Sequence, residues 1–307
     1  MVLNALTVDL EDWFQVSNLE RVIGRENWDR CEQRLEASTY RLLALLDEAE
    51  VKATFFVLGW NAERYPGLVR EIWRRGHEIG IHGYRHALVY EQTPVQFAWE
   101  INRCVQLVGE ITGEQPVGHR AASFSLVPRT LWALEVLREQ GIGYDSSIFP
   151  VRHHRYGLPH SPRHPYRITM GGKPALVEFP VSTLSLWGQN LGFSGGAYLR
   201  LLPYWVVAAG ISRLNRQGQP AVVYLHPWDL DTGQPRQKLN PWLYLRCYGN
   251  LEQTEPKLQN LLADFEFAPM REVLAGQAER LPSFSLEQAN GWALGREGQP
   301  GYSPQTT

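Results

Sequence analysis

Cysteine is scarce in this chain of 307 residues: Cys31, Cys104 and Cys247 are the only three, far apart and at no metal-type spacing. An odd, scattered set excludes a disulfide framework and points to a reducing compartment. Neither sign of charge dominates, since 30 Lys and Arg stand against 32 Asp and Glu for a formal charge of -2. The usual electrostatic argument for nucleic-acid binding is therefore missing. Long apolar runs are missing too. The longest, about 201–211, is too short for a bilayer and contains Pro203, so no integral membrane segment is expected. The N-terminus has no basic stretch and meets Asp9 before an export-type apolar segment forms, so the expected location is the cytoplasm. There is no internal repeat or low-complexity tract.

What is present reads as a globular α/β chain. Hydrophobic residues make up 44% and charged residues 20%, which argues against wholesale disorder and coiled coil. Leu3 to Val8 is a short apolar run that ends abruptly at Asp9, Glu11 and Asp12, a buried strand emptying into a charged loop. Leu42, Leu43, Leu45, Leu46 and Ala49 recur at helical spacing before a β-branched and aromatic run over 51–58. The alternation continues with a helix at 68–73 and a strand at 78–81, and Thr93-Pro94 reads as an N-cap opening a helix to about Ile111. Beyond Pro128 the pattern predicts a helix to about Gln140, strands at 142–144, 175–179 and 221–225, helices at 198–214 and 255–264, and a strand near Phe265. Repeated βα units imply a parallel sheet with helices outside, and six or seven such strands favour a closed or nearly closed barrel. One barrel domain over 1–280 is expected, with a Pro-, His- and Arg-rich loop at 149–167 that contains no acid and a mobile tail at 281–307.

Strand ends carry the ionisable residues: Asp9, Glu11 and Asp12 after the first, His82 and His86 after the third, Asp145 after a later one and His226 after a late one. In parallel α/β folds these ends share one face, where active sites form. His82 and His86 stand four residues apart, so in a helical turn both imidazoles face one divalent ion, with a carboxylate from the first strand end completing the set. His226 is the type of group that protonates a leaving amine near neutral pH, and Asp145 is the candidate to orient it. Arg120 sits on a short loop between elements.

Five ordered segments resemble the motifs of the polysaccharide deacetylases, the carbohydrate esterase family 4 type: LTVDLEDWF at 6–14, GHEIGIHGYRH at 76–86, GHRAASFS at 118–125, YDSS at 144–147 and LHPWD at 225–229. The flanking text at 146–157, 178–183 and 195–204 is similar to the subgroup of exopolysaccharide loci associated with exosortase sorting. The resemblance covers residues 3 to about 275. It implies an α/β fold in the form of a distorted, TIM-like (β/α)7 barrel that removes acetyl groups from an N-acetylated oligo- or polysaccharide with a divalent metal, usually zinc, with cobalt, manganese or nickel as alternatives. By that resemblance His82 and His86 are metal ligands, Asp9 is the general base, Arg120 holds Asp9, His226 is the acid and Asp145 orients it. A backbone N–H in the loop after His82 would help hold the oxyanion.

Three departures stand out. Where the family has two adjacent aspartates, Asp9 is followed by Leu10, Glu11 and Asp12, so the carboxylate ligand is Glu11, sharing the strand face of Asp9, or Asp12, if the chain turns at Leu10. Ala122 replaces a proline that would stiffen the third motif, and no tryptophan stands beside Asp145 to wall the sugar. Trp13, Tyr84, Phe124 and Trp228, lying next to motif residues as Phe14 and Trp60 also do, are the candidate sugar contacts, and Arg152, Arg155, Arg163 and Arg167 are candidates to meet an acidic polysaccharide. The competing readings are an amidase acting on a non-sugar C–N bond and a catalytically silent carbohydrate-binding barrel.

Overall fold

Strand β1 (Asn4–Leu10) is buried along its whole length, and the chain is organised around it. The computed structural model describes residues 2–153 and 155–288. β1 pairs in parallel with β2 (Thr54–Val57) on one side, and β2 continues in parallel through β3 (Glu78–Ile81), β4 (Gly118–His119) and β5 (Tyr144–Asp145). A hairpin of antiparallel strands follows, β6 (Tyr166–Met170) and β7 (Lys173–Glu178), with β7 parallel to β5. A second, separate hairpin is formed by β8 (Thr183–Leu186) and β9 (Gln189–Gly192). β10 (Val222–Leu225) returns to the other side of β1, while β11 (Phe267–Ala268) pairs with the first residues of β1 on the side that β2 takes further along. β12 (Ser283–Ser285) lies parallel to β6.

This mostly parallel α/β architecture is that of a distorted TIM-like barrel. Its curvature is visible in side chains that meet across the interior: Arg120, just after β4, reaches Thr7 and Asp9 on β1, and Tyr144 on β5 bonds Glu78 on β3. Between β7 and β10 the wall is carried by irregular chain, with a parallel bridge of Gly195 to Tyr224 and a hydrogen bond from the Val222 N–H to Ser182 Oγ.

Helices cover the outside with the apolar faces the sequence predicts. Leu35–Glu48 buries Leu35, Leu42, Leu43, Leu45 and Leu46, and a Leu→Ala change at such a fully buried site costs about 2–5 kcal/mol. Pro94–Thr112 begins at Thr93 in a capping box with Gln96 and ends where Gly113 turns left-handed at φ 79°. No helix among the described residues is long and apolar enough to cross a membrane.

Three expectations need correction. The helix expected over 198–214 is two, Gly196–Leu201 and Tyr204–Arg216, because Pro203 at the break has no N–H to continue the first. The loop expected over 149–167 ends in β6, whose antiparallel partner is β7. The tail expected to be mobile from 281 begins with β12 on the sheet, while 289–307 lie outside the described residues.

Candidate active site

Alternation along β1 turns Thr7, Asp9 and, just beyond it, Glu11 toward one interior face. All three are buried. Arg120, with no exposed surface, enters from the β4 side: its Nη1 donates to Asp9 Oδ1 and to Thr7 Oγ1, each at 2.8 Å. The rest of the guanidinium donates to the Ser146 carbonyl (3.2 Å) and Ser146 Oγ (3.0 Å). One carboxylate oxygen of Asp9 is thus fixed by a buried cation, and the other, Oδ2, faces His226 Nε2 at 4.0 Å.

Glu11 is the residue beside the two histidines. Its Oε1 lies 3.0 Å from both His82 Nε2 and His86 Nε2. The His82–x3–His86 spacing works, but through a loop rather than a helical turn: Gly83 (φ 75°) and His86 (φ 52°) are both left-handed. The other ring nitrogen of His82 donates to the Arg120 carbonyl at 2.7 Å, which leaves the Nε2 lone pair of the neutral ring aimed at a carboxylate. Two acceptors so placed repel unless a proton or a cation lies between them. Burial alone would raise the Glu11 carboxyl, yet His86 and His82 outweigh it and hold it well below the usual carboxylate range. Burial likewise works against the His82 cation, and Asp9 and Glu11 reverse the balance and raise it. The ligand atoms of Glu11, His82 and His86 lie within 4.8 Å of one another, a two-His, one-carboxylate set that fits a divalent ion.

Asp12 is not part of that set. Its Oδ1 accepts from the Trp13 N–H (2.8 Å) and its Oδ2 from the N–H groups of Arg34 (2.8 Å) and Leu35 (2.9 Å). It caps the helix at Leu35–Glu48, whose own N-cap residue Arg34 offers no side-chain bond. Burial raises its pKa to about 6, against the pull of those three amides.

Asp145 does not orient His226 either. It is opposite His119 in the β4–β5 register, and its Oδ1 takes His119 Nδ1 and Ser147 Oγ, both at 2.6 Å. Since Ser147 Oγ accepts the Ala121 N–H (2.7 Å), Asp145 braces the loop that carries Arg120. The neighbouring Glu178 carboxyl is pushed well above the usual range by burial and by Asp145.

The partner of His226 is Asp229. Its Oδ2 accepts from His226 Nδ1 (2.9 Å) and from the His226 backbone N–H (3.0 Å), and its Oδ1 is paired with Arg200 Nε at 2.7 Å. Burial works against a charged His226, but Asp229, followed by Glu11 and Asp9, outweighs it and raises the pKa to about 9. Trp228 stacks on the imidazole, ring centroids 4.7 Å apart. Sequence reasoning missed Asp229 and Arg200. Asp229 had a signal, because His-x-x-Asp places an acid three residues after the first residue of a short turn, where it can reach back to the N-cap amide.

A cavity of about 130 Å3 is lined by Asp9, Glu11, His86 and His226. Of the aromatic candidates it takes Phe124 and Trp228, and not Trp13 or Tyr84. Trp13 is packed against Phe14 and donates its indole N–H to the Glu32 carbonyl; Tyr84 packs on Trp99 and bonds Glu63. The Tyr84 N–H is taken by Glu100 at 3.2 Å, which removes one of the amides expected to meet an oxyanion. Where Ala122 replaces the expected proline, Ser123 (φ 50°) and Phe124 (φ 55°) are both left-handed, a strained turn that presents Phe124 to the cavity. Of the four arginines in the basic segment, Arg155 lines the cavity, whereas Arg163 bonds Thr183 and Arg167 the Ala278 carbonyl.

Comparison with known proteins gives two family matches: "Polysaccharide deacetylase" over residues 27–142 and "Domain of unknown function (DUF3473)" over 146–275. The first takes in His82, His86 and Arg120; Asp9 and Glu11 precede it and His226 follows it. A peptidoglycan-N-acetylglucosamine deacetylase of Bacillus cereus is 33% identical over 98 residues, 32% of this chain and 36% of the relative. A peptidoglycan deacetylase of Helicobacter pylori is 27% identical over 146 residues, 47% and 45% of the two chains. The chain thus spans less than half the length of these curated relatives. Among solved structures, a Mycobacterium smegmatis protein provisionally named a polysaccharide deacetylase superposes over 92% of both chains with a TM-score of 0.62 at 23% identity, a likeness of fold.

Proposed function

Residues 27–142 match the polysaccharide deacetylase family, and on that premise we propose that the chain is a divalent-metal-dependent N-deacetylase of an N-acetylated glycan or its precursor. We place it in exopolysaccharide or cell-envelope glycan synthesis, a reading supported by its likeness to peptidoglycan deacetylases. The observation that carries the reading is the pairing of Asp9 and His226 across 4.0 Å, each held from behind by an ion pair, beside the set of Glu11, His82 and His86.

Glu11, His82 and His86 would hold the metal, zinc by preference given nitrogen and carboxylate donors, and when bound it supplies Lewis acidity toward water and the acetyl carbonyl. Asp9 Oδ2 takes a proton from the attacking water while Arg120 keeps Oδ1 in place. His226 carries a proton at neutral pH and gives it from Nε2 to the sugar nitrogen as the C–N bond breaks. Water adds to the acetyl carbon, acetate leaves, and the nitrogen departs as the free amine. Asp229 fixes the ring so that Nε2, not Nδ1, faces Asp9.

The test is release of acetate and free amine in equal amounts from a panel of N-acetylated oligosaccharides and peptidoglycan. Absence of acetate with every glycan, alongside turnover of a cyclic amide, would move the assignment to an amidase on non-sugar C–N bonds.

A further inference from the structure

We propose that the cavity selects an N-acetylated sugar that also carries an anionic group, a carboxylate or a phosphate, on the reacting residue or the one beside it, and that Arg155 and Arg246 hold that group. The inference rests on the deacetylase reading and narrows its substrate class.

The charges around the cavity fall into two sets. On the catalytic side each has an opposite: Asp9 has Arg120, Glu11 has the two histidines, and Arg200 has Asp229. The second set is Arg155, from the segment between β5 and β6, and Arg246, from the helix Pro241–Tyr248. Among the described residues their side-chain partners are neutral. Arg155 Nη1 donates to Asn18 Oδ1 at 2.9 Å, and Arg246 lies beside the Tyr156 hydroxyl. Each guanidinium has five N–H donors, so most remain for a ligand.

Both arginines are set in firm surroundings. Arg200 donates from Nη2 to the Arg246 carbonyl at 2.6 Å while its Nε pairs with Asp229, which ties the Arg246 backbone to the support of His226. Tyr156, next to Arg155, is stacked between Phe149 (5.4 Å) and His153 (3.8 Å). Two like charges facing one small cavity repel each other, and an anion between them reverses the sign. Guanidinium forks match carboxylate and phosphate oxygens, whereas sugar hydroxyls are served equally well by neutral amides. Arg155, Arg246 and His226 line the same cavity, so the anion and the scissile amide are held in one site.

The experiment is calorimetric titration of the full-length His226→Ala protein, in which turnover is slowed, with N-acetylglucosamine, N-acetylglucosamine 1-phosphate and N-acetylmuramic acid. Expected is a 10- to 100-fold tighter binding of at least one anionic sugar than of the neutral one, a size set by charge-assisted hydrogen bonds. That advantage should shrink with salt and be lost on adding Arg155→Gln or Arg246→Gln. Preference for the phosphate identifies an activated precursor sugar; preference for the carboxylate identifies an acidic polymer. Equal binding of all three, or an advantage that survives both arginine changes, overturns the inference. Acetate release by the unaltered protein separates the two claims. Release from neutral oligomers with no anionic preference overturns the arginine site alone, and an anionic preference without release from any glycan overturns the reaction and leaves the anion site.

Discussion

Asp229 holds His226 at two points, the ring Nδ1 at 2.9 Å and the backbone N–H at 3.0 Å, and is itself paired with Arg200. The arrangement keeps the imidazole protonated through the neutral range, with a pKa near 9. A general acid is active while it holds its proton, so the alkaline limb of kcat should fall near that value. Asp229→Asn removes the largest stabilising charge on the cation. The alkaline limb should then move to lower pH by about one unit or more, and kcat at pH 8 should drop about twofold or more. A pH–rate profile of the two proteins checks this; an unmoved limb would sink the role of Asp229.

Removing the imidazole itself separates the acid from the metal. His226→Ala should retain metal, measured by elemental analysis, and lose about 100- to 10,000-fold in kcat. His82→Ala should lose metal and turnover together.

The two carboxylates after β1 should behave differently. Glu11→Ala should abolish tight metal binding. Asp12→Ala should keep the metal but lower the thermal midpoint, since three backbone N–H groups lose their acceptor, a loss of about 1–3 kcal/mol. Metal content and melting curves of both variants, with Asp12→Asn as the milder control, decide between them.

Arg120 reaches Asp9 with two further anchors on Ser146. Arg120→Lys keeps a positive charge but loses the planar fork that spans Thr7, Asp9 and Ser146. It should fold with a lowered midpoint and lose kcat well beyond any change in KM. A variant with normal kcat would show that Asp9 does not depend on Arg120 for its position.

Much of this site is legible in sequence because strand ends are legible. The apolar run over residues 3–8 stops at Asp9, and the residues that follow the strands at 78–81 and 221–225 are His82 and His226. What the sequence hides is which side chains meet. Asp145 stands opposite His119 because of the β4–β5 register, which no local pattern encodes, and so it serves the Arg120 loop rather than His226. Glu11 and Asp12 are equivalent as text; the next helix, needing an external cap, takes Asp12 and leaves Glu11 to the histidines. Tyr156, Arg200 and Arg246 come from irregular chain and short helices after residue 149, where the βα rhythm breaks.

The most direct measurement is acetate release from N-acetylated glycans by protein stripped with a chelator and then reloaded with zinc. Release should be lost on stripping and return on reloading, with no return in Glu11→Ala or His82→Ala. Release that is indifferent to stripping, or no release from any N-acetylated glycan by protein carrying one metal per chain, would contradict metal-dependent deacetylation.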